Sequence, residues 1–98
     1  MVLLPFPFSD LSGKKVRPAV VLGGNSSGDL FLVPITSQPG QVHLPFSDWR
    51  VAGLNVPCGL KAQIATIEER LVLKKLGVLS GFDAGQLDSA LQSWLSLA

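Results

Sequence analysis

Apolar residues in this chain come in short runs separated by polar, glycine or proline turns, with one stretch at helical spacing near the end. Val2 to Phe8 is apolar but interrupted by Pro5 and Pro7, the pattern of an edge strand running out into a loop. Ser9 to Lys15 is a polar loop. Val16 to Gly23 then supplies Val16, Ala19, Val20, Val21 and Leu22, a run suited to a buried strand. Turn residues cluster from Gly23 to Asp29 and predict a hairpin to a third strand over Leu30 to Ile35. Thr36-Ser37-Gln38-Pro39-Gly40 follows as a turn, Gln41 to Phe46 as a short fourth strand, and Ser47 to Pro57 as a loop holding Trp49 and Arg50. Gly59 to Ile67 reads as a fifth strand, Glu68-Glu69-Arg70 as a single turn, and Val72 to Leu79 as a last strand.

The final segment carries the clearest periodicity. Asp83 is expected to cap a helix, with Gln86 completing a capping box and Phe82 and Leu87 forming a hydrophobic staple. Leu87, Ala90, Leu91, Trp94 and Leu95 then fall on one helical stripe. Short strands followed by one amphipathic helix predict a mostly β, α+β domain over residues 1–98: a curled antiparallel sheet plugged by the helix.

Composition sharpens this picture in three places. Of 98 residues, 47% are hydrophobic and 15% charged, enough for one core and too little charge to cover the whole surface, which favours a dimer. The net charge is only +1, yet Lys14, Lys15 and Arg17 fall together with no acid closer than Asp10; such a site suits a few phosphate contacts. Cys58 is the single cysteine, which fits a reducing compartment. The start Met1 to Leu4 lacks a basic flank and meets Pro5 at once, so no signal peptide is expected, and no run is long enough to span a bilayer. A cytoplasmic protein is expected.

Several chemistries lack their residues. With one Cys and one His there is no CxxC pair or HExxH zinc site, and the glycines match neither a P-loop nor a dinucleotide fingerprint. No nucleophile elbow is present. Neither a metal nor another cofactor is expected.

What remains is an arginine, a hydroxyl-amide turn and some basic residues. Pro18 biases Arg17 toward extended backbone, and a guanidinium fork matches phosphate oxygens. Arg17 is thus either a transition-state stabiliser or a surface arginine at a strand end. Thr36, Ser37 and Gln38 could hold a phosphate oxygen and a base edge, or could simply satisfy their own turn. His43 could serve as a general base, although a plain strand-end histidine is the favoured reading. Trp49 could stack on a base or anchor its loop, and Cys58 reads as a small buried residue rather than a nucleophile.

The order of these residues adds to their chemistry. Leu4-Pro5-Phe6-Pro7-Phe8-Ser9-Asp10-Leu11-Ser12-Gly13 followed by Lys15-Val16-Arg17-Pro18-Ala19-Val20-Val21-Leu22 resembles the opening of the MazF/PemK (Kid) family of toxin endoribonucleases. Pro34-Ile35-Thr36-Ser37-Gln38 is similar to that family's second motif, and Gln63-Ile64-Ala65-Thr66-Ile67-Glu68 to its third. The resemblance spans nearly the whole chain. It implies a homodimeric SH3-like barrel of the kind shared with the gyrase poison CcdB, with a terminal helix. It also implies metal-independent, sequence-specific cleavage of single-stranded RNA, including mRNA, through attack of the 2′-hydroxyl to leave a cyclic phosphate and a 5′-hydroxyl. A cognate antitoxin protein would block the RNA groove.

By motif match Arg17 corresponds to the catalytic arginine and Thr36 to the catalytic threonine. Lys14, Lys15, Ser37, Gln38, Lys61, Gln63 and Trp49 are candidate RNA contacts. Two positions depart from the pattern. Some members carry an acid just before the third-motif glutamine and an arginine two residues after it, where this chain has Ala62 and Ala65. The chain also starts without the usual Gly-Asp lead-in, as a truncated start would. Two alternatives therefore stay open: a non-catalytic barrel that binds a protein or nucleic acid, and a gyrase-directed poison.

Overall fold

A computed structural model of the chain describes residues 1–6 and 15–96. Its strands are β1 (Val2–Phe6), β2 (Lys15–Gly24), β3 (Asp29–Thr36), β4 (Leu44–Pro45), β5 (Gly59–Leu60), β6 (Ala65–Glu68) and β7 (Lys74–Lys75), followed by helix α1 (Gly81–Trp94). They form one antiparallel sheet in the order β4-β5-β3-β2-β1-β7, with β6 also paired to β3. The expected mostly β architecture with a C-terminal helix is what the chain adopts. Among the described residues no helix is long and apolar enough to cross a membrane.

The β2–β3 hairpin forms where turn residues cluster. Asn25 Oδ1 accepts from the backbone N–H groups of Ser27 (2.9 Å) and Asp29 (3.1 Å), and Gly28 supplies the left-handed residue at φ +87°.

Alternation along the strands divides the apolar residues between two cores. Val2, Leu4, Ala19, Leu32, Ala65 and Ile67 pack on one face. Val20, Val33, Ile35, Phe46, Cys58 and Leu60 pack on the other, where Leu87 of α1 covers them. Leu91 and Trp94 extend the helix contact, as the stripe predicts. Leu95 does not: it follows the last helical turn and is exposed.

The prolines decide where pairing stops. Leu3 C=O accepts from Leu73, so alternation turns the Pro5 nitrogen toward the same side, beyond the short reach of β7. The expected edge strand is therefore an edge only at its Pro5 end, because β1 has β2 on one side and β7 on the other.

Pro34 has a larger effect. Its carbonyl accepts from Lys61 N–H at 3.1 Å, so its own nitrogen, which has no hydrogen to donate, faces the same neighbour. The neighbouring strand bulges at that point. Ile35 pairs with Leu60 while Leu32 pairs with Ala65, leaving residues 61–64 opposite residues 33–34. The expected continuous strand from Gly59 to Ile67 is thus broken into β5 and β6.

Other boundaries also moved. Residues 39–41 form a 3₁₀ turn, and the strand expected over 41–46 shrinks to Leu44–Pro45. The turn expected at 68–70 is a 3₁₀ turn over Glu69–Leu71, and only Lys74–Lys75 of the last expected strand pairs. Ser80, not Asp83, caps α1: its hydroxyl accepts from Asp83 N–H at 3.1 Å. With the cap at Ser80, Asp83 and Gln86 do not frame the helix start as a capping box, and Phe82 is exposed rather than stapled to Leu87. Asp83 instead bridges to a loop, accepting from the N–H groups of Ser47 and Asp48, each at 2.9 Å.

Gly59 is where β5 passes closest to its neighbours. A Cβ there would collide with Leu44 C=O and stand 2.7 Å from Pro45 Cα. Gly59→Ala is expected to destabilise the chain by about 1–3 kcal/mol, the usual cost of overpacking, read as a lower urea midpoint with unchanged slope.

Candidate functional site at the ends of β2 and β3

Pro18 shapes this end of the sheet as Pro34 shapes the bulge. The β2–β3 ladder runs from Gly24–Leu30 to Ala19–Pro34 and goes no further. The next pair would need an N–H from residue 18, which proline lacks. Arg17 and Thr36 lie just past that point, opposite each other if the Ala19–Pro34 register is continued. Alternation assigns both to the face that carries Leu4, Ala19 and Leu32. Two strands thus present a guanidinium and a hydroxyl where their mutual pairing has ended.

Arg17 is half-buried, and its Nε is buried with no hydrogen-bond partner among the described residues. A buried guanidinium N–H without a partner is costly, and an added acceptor would offset that cost. Thr36 closes β3 and is 5% exposed, rather than beginning the turn. Its Oγ1 accepts from Gln38 N–H at 3.2 Å. The same hydroxyl keeps its proton available for donation.

A pocket of about 380 Å³ opens beside Arg17, lined also by Ile35, Ser37, Asn55 and Cys58 among others; Thr36 is not part of its wall. Ser37 and Cys58 also border a neighbouring pocket of about 400 Å³ with Val42 and Phe46. Burial pushes the Cys58 thiol pKa up, which keeps it protonated and a poor nucleophile near neutrality. Asn55 had no assigned role in the sequence. It reaches the pocket because the 47–55 loop folds back on itself, with Ala52 N–H on Asp48 C=O and Leu54 N–H on Trp49 C=O.

The other candidates are more dispersed. Ser37 and Gln38 are exposed beside Thr36. Lys61 and Gln63 are half-buried in the bulge on the far side of β3, where Lys61 N–H meets Pro34 C=O. Lys15 pairs with Phe6 at the start of β2. Lys14 and the polar loop before it lie outside the described residues. Trp49 packs against the helix-side core, and Arg50 stacks over its ring at 5.0 Å. A base stacking on that indole face would have to displace the guanidinium.

The two departures from the motif pattern occupy different surroundings. Ala65 is buried in the core opposite Leu32, a place that would charge heavily for an arginine. Ala62 is exposed, and its N–H donates to His43 Nδ1 at 2.9 Å.

Residues 1–95 match the family model described as the PemK-like, MazF-like toxin of type II toxin–antitoxin systems. No curated protein matches the chain significantly.

Proposed function

Since the chain belongs to the PemK-like, MazF-like toxins of type II toxin–antitoxin systems, we propose that it is an endoribonuclease that cuts single-stranded RNA without a metal ion. The observation that carries this reading is the buried Nε of Arg17, which has no partner among the described residues, on the strand position that continues the β2–β3 register to Thr36. A phosphodiester oxygen is the acceptor this pair lacks.

In the proposed reaction the ribose 2′-oxygen bonds to the adjacent phosphorus and the bond to the 5′-oxygen breaks. The 2′-hydroxyl gives up its proton and the departing 5′-oxygen takes one, leaving a cyclic phosphate and a 5′-hydroxyl. Arg17 offsets the charge that builds on the non-bridging oxygens, and Thr36 donates to one of them. Lys14, Lys15, Ser37, Gln38, Lys61 and Gln63 would then hold the flanking nucleotides. The described residues contain no group of three or more His, Cys, Asp or Glu side chains that could seat an ion. The protein would act as a homodimer in the cytoplasm, restrained by its antitoxin.

Incubation with single-stranded RNA in EDTA is expected to produce cleavage. Thr36→Val, similar in shape, should lower kcat by roughly 10²-fold, while Thr36→Ser should retain most activity. Cleavage that requires an added divalent ion would reject the metal-free mechanism.

A further inference from the structure

We propose that His43 is a positioning residue that shapes the bulge carrying Lys61 and Gln63, and so sets where these side chains meet RNA. The inference rests on the ribonuclease reading above.

Residues 61–64 have left the ladder beside Pro34, so their backbone groups need other partners. Lys61 N–H still reaches Pro34 C=O, and Gln63 N–H turns back on Lys61 C=O at 2.7 Å. The Ala62 amide at the crest is taken by His43 Nδ1 at 2.9 Å. His43 is well mounted for this, because its own N–H donates to Leu60 C=O at 2.9 Å just before β4 begins. One histidine therefore grips both the last residue of β5 and the crest of the bulge.

The same bond argues against a direct role in proton transfer. An imidazole that accepts at Nδ1 carries its proton on Nε2, so neither nitrogen has a lone pair free for the 2′-hydroxyl. What His43 controls is shape. Without it the Ala62 amide turns to water, and the bulge loses its side-chain tie.

The test compares His43→Leu with His43→Asn, whose amide oxygen can accept from the same N–H. His43 is exposed, so both variants should fold with near wild-type thermal midpoints. In His43→Leu the Ala62 amide is expected to exchange with solvent roughly fivefold faster, the factor one net hydrogen bond is worth. KM for single-stranded RNA should rise by about the same factor with kcat little changed, and His43→Asn should restore both readouts. Unchanged Ala62 exchange in His43→Leu would overturn the proposal. So would an asparagine variant as impaired in cleavage as the leucine variant, since that outcome gives the imidazole itself the chemical role. If the wild-type chain cuts no RNA, the ribonuclease reading falls, while the exchange rate at Ala62 still decides whether His43 holds the bulge.

Discussion

Replacing Arg17 with alanine is expected to lower kcat/KM for single-stranded RNA by about 10²–10³-fold while leaving the fold intact. The size follows from the job proposed for it. A fixed charge beside a developing phosphorane dianion is worth most in the transition state, so kcat should carry most of the loss. The stability expectation is unusual for a half-buried residue. Arg17 Nε has no partner among the described residues, so alanine removes an unsatisfied donor, and the thermal midpoint should hold or rise slightly. Arg17→Lys keeps the charge but loses the planar fork, and should recover only part of the rate. Equal losses of activity and stability in Arg17→Ala would instead make the arginine a structural residue.

Asp83→Ala should produce the largest loss of stability, about 2–4 kcal/mol. Asp83 is 1% exposed, and its carboxylate accepts from both Ser47 and Asp48 N–H. Alanine leaves two amides unpaired and frees the start of the loop that carries Trp49 and Asn55. Chemical denaturation would show the loss directly. Cleavage at low temperature, where the variant is still folded, should fall less than in Arg17→Ala, because the loop borders the pocket while Arg17 sits in it.

Much of this structure could be read from local pattern. The hairpin at Gly24–Asp29, the helix stripe from Leu87 to Trp94 and most of the strand cores depend on neighbours in sequence and appear where the pattern puts them, whereas Leu95 and Val16 are exposed. The misses share a cause in cross-strand geometry. Pro34 is visible in the sequence, yet its consequence falls on residues 61–64, which become its neighbours only in the folded sheet. Asp83 has the composition of a cap, but Ser80 sits one turn earlier and frees the carboxylate for a distant loop.

The candidate site shows the same division. The motif order singled out Arg17 and Thr36. Their alignment depends on the register beyond Ala19–Pro34, and the lack of a partner for Nε among the described residues depends on burial. The sequence offered no signal for Asn55 in the pocket wall, nor for the bond from Ala62 to His43, a residue that single-sequence reasoning treats as an ordinary strand-end histidine.

In the proposed reaction Arg17 and Thr36 together promote internal attack of the RNA 2′-hydroxyl. The decisive experiment maps the ends of varied single-stranded RNAs after brief exposure to the protein in EDTA. The predicted result is new ends at a recurrent short sequence, each pair a cyclic phosphate and a 5′-hydroxyl, absent with Arg17→Ala. Intact RNA, whether or not it is bound, or ends bearing a 5′-phosphate would contradict it.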